Sequence, residues 1–175
     1  MNAETSERSD LAPPRFAAPQ DLATPEPRIH IKNILVPVDF SDLSLKSLQY
    51  AIPLARQYGA KLTLLYVVEP LAYAPELAYG TPLPPDPAAQ VRTDLEAVRK
   101  ARIPADITVD VAVSEDFAHT GVVESARSLC ADLIVTTTHG RTGLTHLFMG
   151  STVEKIVRHA PCPVLVLSEH EHEFV

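Results

Sequence analysis

The feature that most constrains this chain is a regular alternation of short apolar runs with segments of helical period. Residues 32–38 (Lys-Asn-Ile-Leu-Val-Pro-Val) and 61–68 (Lys-Leu-Thr-Leu-Leu-Tyr-Val-Val) are compact apolar runs, and Ile107, Val109, Val111 and Val113 alternate with more polar neighbours. Leu133-Ile-Val-Thr-Thr and Val164-Leu-Val-Leu complete five strand candidates. Between them, apolar residues recur at helical spacing: Leu45, Leu48, Ile52 and Ala55; Val91, Leu95, Val98 and Ile103; Val122, Val123, Ala126 and Leu129; and Val153, Ile156 and Val157. Parallel strands need crossover connections, so the alternation predicts an α/β fold, a single doubly wound five-stranded parallel sheet flanked by helices. Pro53 falls inside the first helical segment, where it lacks a backbone donor and crowds the carbonyl of Gln49. Because the apolar period continues past it, a kink near Pro53 is expected rather than two helices.

The flanks differ in composition. Residues 1–29 hold five prolines among Ala, Ser, Thr and charges, and 169–175 (Glu-His-Glu-His-Glu-Phe-Val) are polar. Both read as tails around a domain at 30–168, since such stretches bury too little to offset ordering entropy. Pro70 to Pro87 carries six prolines and reads as a long loop. The tails take most of the net charge of −7, leaving fourteen acids against twelve bases in 30–168. A body this close to neutral has no basic stripe for a phosphate backbone, which argues against nucleic acid. No apolar run approaches ~18 residues and no apolar signal core opens the chain, so the expectation is a cytoplasmic protein without a membrane partner.

In open α/β sheets, ligands bind beyond the carboxyl ends of the strands, where neighbouring crossovers leave on opposite faces. The first strand ends in Val38-Asp39-Phe40-Ser41-Asp42. Ser41 suits a helix N-cap and Asp42 its positive end. Asp39 stands before the cap, either reaching a ligand hydroxyl or supporting the turn. The fourth strand ends in Thr136-Thr137-Thr138-His139-Gly140-Arg141-Thr142-Gly143, and Gly150-Ser151-Thr152 opens the last helix. Gly140, Gly143 and Gly150 admit unusual backbone angles and close approach. The N–H groups of Ser151, Thr152 and Val153 lack partners at a helix start, which suits an anion. The plainer alternative is a shaped turn followed by a helix capped by Ser151.

Thr-His-Gly-Arg-Thr-Gly-Leu-Thr-His-Leu-Phe-Met-Gly-Ser-Thr, with Val-Arg-His-Ala-Pro-Cys-Pro-Val-Leu-Val-Leu behind it and Ile34-Leu-Val-Pro-Val-Asp-Phe-Ser in front, resembles the universal stress protein family. The resemblance spans about residues 30–168 and implies the strand order 3-2-1-4-5, with the first and fourth strands adjacent. It implies a cytoplasmic stress-response protein that binds ATP as a regulatory signal. Asp39 would hold the ribose, Pro37 and Val38 would line the base, and Val67 would offer backbone hydrogen bonds to adenine. Residues Thr137, Thr138, His139 and Gly140 to Gly143, with Gly150, Ser151, Thr152 and Val153, would wrap the phosphates, and Arg141 would neutralise the terminal one. ATP-binding members carry Gly-x-x-Gly, nine residues, then Gly-[Ser/Thr]; Gly140, Gly150 and Ser151 match, but Thr137 replaces the first glycine. That threonine adds a Cβ and a methyl where the family keeps bare backbone.

At most weak ATP hydrolysis is expected. The Walker lysine before Ser151 or Thr152 is absent, as is a G-x-S-x-G elbow. His139 more often orients such a turn than catalyses, and Cys162 and Cys130 read as small buried hydrophobes. His170 and His172 lack a third metal ligand. Mg²⁺ would need Asp39, alone or with Asp42, acting through water. The family order places Val164-Leu165-Val166-Leu167 at a sheet edge, where an apolar strand is a hazard unless paired. A homodimer through the last strand is therefore expected, with an unidentified regulatory protein reading the 138–150 loop. Two alternatives stand beside ATP signalling: a nucleotide-free dimeric interaction module with Thr137 blocking the crevice, and a slow ATPase.

Overall fold

A computed structural model describes residues 29–70, 86–138 and 150–168. Its elements run β1 (Asn33–Pro37), α1 (Asp42–Lys46), α2 (Leu48–Tyr58), β2 (Lys61–Val68), α3 (Pro87–Arg102), β3 (Val109–Glu115), α4 (Ala118–Ser128), β4 (Leu133–Thr137), α5 (Ser151–His159) and β5 (Val164–Leu167). All strand pairs are parallel, in the order β3-β2-β1-β4-β5. The doubly wound fold and its strand order are therefore as expected.

Strand parity divides the apolar residues between two layers. Ile34, Val36, Val38, Leu62, Leu64, Leu133 and Val135 pack with Leu48, Ala51 and Ala55 of α2 and Leu95 of α3. Leu35, Leu65 and Ile134 face the other way, against Val122 and Ala126 of α4 and Ile156 of α5. The central strands are buried on both faces, which is why β1 and β2 read as near-continuous apolar runs. Each fully buried Leu, Ile or Val contributes roughly 1.5–3 kcal/mol relative to exposure. The crossovers through α1, α2 and α3 thus cover one face, and those through α4 and α5 the other. The change of face falls between β1 and β4.

Three local expectations are corrected. The first helical segment is two helices, and the break lies at Ser47, not at Pro53, which sits inside α2. At Ser47 the N–H reaches the Ser44 carbonyl at 3.3 Å and the Oγ donates to the same oxygen at 2.5 Å. A serine hydroxyl competing for the backbone tightens the turn there, so α2 begins afresh upstream of the proline. The third strand starts at Val109 rather than Ile107 and runs on to Glu115. Pairing with the long β2, Val67 with Ser114 and Val68 with Glu115, recruits two polar residues that alternation does not mark. Leu129 and Val157, expected on buried faces, are exposed. Among the described residues, no helix is long and apolar enough to cross a membrane.

Candidate functional site

The candidate site lies beyond the carboxyl ends of β1 and β4. β1 keeps register with β2 from Asn33 to Pro37, and the Val38 N–H adds a bond to the Leu65 carbonyl at 2.8 Å. With β4 it pairs only at Ile34–Leu133 and Leu35–Ile134. Pro37, the next β1 residue facing β4, has no N–H to carry that ladder further, and β1 and β4 are the pair whose crossovers leave on opposite faces. Open α/β sheets hold ligands at such a switch point.

At the end of β1 the chain supplies its own cap. Ser41, in extended conformation, accepts the Ser44 N–H at 3.1 Å and so caps α1. The Ser41 N–H and Oγ donate to Asp39 Oδ1 at 3.0 and 2.5 Å, and the Asp39 N–H donates to Ser44 Oγ at 3.2 Å. Asp39 therefore does support the turn, and these bonds fix the orientation of its carboxylate. Asp42 borders a groove with Leu45, Lys46, Gln49 and Arg102, toward the α3 side. Among the described residues no three His, Cys, Asp or Glu side chains converge on a metal position. The magnesium expectation thus rests on Asp39 with ligand phosphates, a sparse set that Mg²⁺ commonly accepts.

Between Asp39 and Ser41, Phe40 takes φ of 64°, the left-handed region a bulky side chain rarely enters. Its ring stacks on Tyr66 of β2 at 5.0 Å between centroids. Such strain persists only where surroundings over-determine it. Here the ring pair anchors one side of the turn and the Asp39–Ser41 bonds the other.

At the β2 end, Leu65 turns its carbonyl to β1, as the bond from Val38 shows. Strand alternation sends the Val67 N–H and C=O to the same side, two residues past the last β1–β2 bond. No hydrogen-bond partner for either group is found among the described residues.

At the β4 end, the Gly150 N–H donates to the Thr138 carbonyl at 3.0 Å, so the chain leaves and re-enters the described structure at one point. A Cβ on Gly150 would sit 3.0 Å from that oxygen, while its φ of −57° is ordinary. Gly150 is needed for close approach, not for unusual angles. It is also the N-cap of α5, without a side-chain cap bond, which removes the alternative that Ser151 caps this helix. The first intrahelical bond runs from the Glu154 N–H to Gly150 O. Among the described residues nothing accepts from the N–H groups of Ser151, Thr152 and Val153.

Thr137 ends β4 in register with Leu167 and is buried. Its parity puts it on the face of Leu133 and Val135, covered by α1 to α3. His139, Gly140, Arg141, Thr142 and Gly143 lie outside the described residues, as do 71–85 of the long proline-rich segment and the histidines of the C-terminal tail. Cys162 is half-buried, and burial pushes its thiol up, with the Asp132 carboxylate adding to the effect. Cys130, expected to be buried, is instead exposed.

The described pieces line up across one edge: the Val67 peptide groups on β2, Asp39 on β1, and the α5 amides after β4. Two strand spacings separate the ends, about 10 Å. Sequence reasoning passed over Phe40, Tyr66, Ser44 and Gly121, which border this edge. A left-handed φ at Phe40 has no signal in residue type, and only the Gly121 position inside an apolar helical period hinted at a close approach.

The universal stress protein family matches residues 30–168. A universal stress protein of Methanocaldococcus jannaschii is 30% identical over 151 residues, covering 81% of this chain and 85% of its own length. The solved structure of UspA from Lactobacillus plantarum is 29% identical, with a TM-score of 0.64 over 80% of this chain and 99% of that one. A universal stress protein solved in complex with cAMP is similar in fold, at 22% identity and a TM-score of 0.55, over 79% of this chain and 98% of that one.

Proposed function

The chain belongs to the universal stress protein family, and on that premise we propose that it binds ATP across the carboxyl edge of its sheet and uses occupancy as a regulatory signal. The observation that carries this reading is the start of α5. Three amides without partners among the described residues stand at the positive end of a helix whose N-cap, Gly150, has no side chain to give. Anions bind such ends because the N–H groups and the dipole act together. A polyphosphate there leaves the ribose toward Asp39 and the base toward Pro37, Val38 and the Val67 peptide groups. The relative solved with cAMP supports an adenine nucleotide as the ligand class. When Mg²⁺ accompanies the nucleotide, Asp39 is the carboxylate that would hold it, and the ion would screen phosphate charge.

Calorimetric titration tests the reading. Saturable binding, one ATP per chain, is expected. No heat at about 1 mM ATP, where even a ~4 kcal/mol interaction half-saturates, overturns it. The second reading, a nucleotide-free module, draws on Thr137, whose methyl stands where ATP-binding relatives keep glycine. Thr137→Gly discriminates: binding gained only in that variant favours the module. Slow phosphate release over hours with magnesium would mark a weak ATPase.

We also propose a homodimer through β5. Val164 to Leu167 are all half-buried at the sheet edge. Pairing with a second copy would satisfy the outer backbone groups of that edge. Light scattering showing a monomer at micromolar concentration would end this part of the proposal.

A further inference from the structure

Gly121 lies in the first turn of α4, where it meets the end of β2. A Cβ built on it would fall 2.8 Å from Val67 Cγ1, 3.0 Å from Val67 Cγ2 and 3.0 Å from Ser114 Oγ. Carbon atoms do not approach so closely, so a side chain at 121 must turn the stiff, β-branched Val67 side chain or shift α4 or the end of β2. Glycine is among the poorest helix formers, yet it occupies this position in a helix that is otherwise well anchored. The Gly121 N–H donates to Phe117 O at 2.8 Å, and the Ala118 N–H donates to Glu69 Oε1 at 2.9 Å, two residues past Val67. The helix start is tied to the chain just beyond β2, so the two cannot separate freely.

We propose that Gly121 is a positioning residue for base selection: by admitting α4 onto Val67, it sets the place of the Val67 N–H and C=O that face the crevice. The inference rests on the nucleotide reading above. An N–H donor beside a C=O acceptor matches adenine, which offers N1 as acceptor and N6–H as donor. Guanine presents the opposite pair, N1–H and O6, and leaves both peptide groups opposed. Sites that recognise a ligand by buried polar pairs reject the mismatched analogue strongly. Such discrimination depends on alignment, so a displacement of a few tenths of an ångström at Val67 reduces it before it abolishes binding.

The test compares affinities for ATP, GTP and inorganic tripolyphosphate in the unsubstituted chain, in Gly121→Ala, and in Gly121→Ala combined with Val67→Ala. In Gly121→Ala the preference for ATP over GTP should fall about tenfold, the scale of one misaligned hydrogen-bonded pair. Tripolyphosphate, which has no base, should bind as before. Trimming Val67 removes both methyl carbons nearest the new Cβ, and the double variant should recover most of the preference. Equal losses for all three ligands would make Gly121 merely structural and overturn the inference. So would an unchanged preference in Gly121→Ala, or a folded double variant that has lost it. The double variant carries the test if the single one fails to fold. No ATP binding by the unsubstituted chain overturns the nucleotide reading itself, a distinct result from normal binding with an indifferent Gly121.

Discussion

α1 and α5 both begin at the carboxyl edge beside the crevice, one after β1 and the other after β4. At α1 the chain finishes the helix itself: Ser41 caps it, and Asp39 in turn holds Ser41 through two hydrogen bonds. Asp86 does the same for α3, and Glu69 reaches across to the first amide of α4. At α5 the cap position is Gly150, with no side chain to give, and among the described residues three amides stay unpartnered. A glycine at the N-cap costs roughly a few tenths of a kcal/mol relative to a capping side chain. The contrast teaches that α1, α3 and α4, the helices that follow β1, β2 and β3, each find a side-chain acceptor, whereas among the described residues α5 finds none where a ligand anion would supply the same hydrogen bonds.

The largest expected effect follows from filling the uncapped end. Gly150→Leu places a side chain 3.0 Å from the Thr138 carbonyl at its first carbon, and ATP affinity should fall by about a hundredfold or more, the scale set by misplacing a binding group by an ångström. At about a hundred times Kd, ATP should raise the stability of the unsubstituted chain by about 2.7 kcal/mol; the ATP-dependent thermal shift should vanish in the variant. A retained shift would remove α5 from the site.

Ser41→Ala probes the finished end. It removes the α1 cap and one donor to Asp39. Stability should drop by about 1 kcal/mol, a fall of about 2–4 °C in a thermal melt for a chain of this size. The ATP-dependent shift should persist. Loss of binding without loss of stability would reverse the roles given to the two ends.

The smallest effect belongs to a control away from the edge. Arg56 meets Asp106 in a bidentate pair at 2.8 and 3.1 Å, both side chains exposed. The Arg56 hydrogen bond holds the Asp106 carboxyl below its usual range. A carboxyl lowered in the folded state adds stability that is complete above the unfolded aspartate value and is lost as pH falls through the folded one. Asp106→Asn should therefore lower melting slightly at neutral pH, no more than an exposed pair contributes, and leave the acid end unchanged, so that the profile flattens. A change in ATP binding would show that the ligand senses the opposite end of the sheet.

Much of this was legible beforehand because it is local. Ser41 reads as a cap because its partner lies three residues away, and β1, β2 and β4 read as strands because burial on both faces leaves unbroken apolar runs. Other features escaped because they depend on distant residues. Pro53 drew the expected break to itself, whereas the Ser47 hydroxyl decided it. The polar end of β3 became strand only because β2 extends alongside, and Leu129 and Val157 fit a helical period but find no cover among the described residues.

By itself, then, the order of residues determined the alternating fold, the cap of α1 and the anion-friendly composition after β4, all carried by contacts within a few residues. Only tertiary structure decided that the crossovers change face between β1 and β4, that Gly150 rather than Ser151 is the N-cap of α5, and that α4 rests on Val67 through Gly121. Those outcomes depend on register and on atoms far apart in the chain meeting within about 3 Å, a length scale that residue periodicity does not encode.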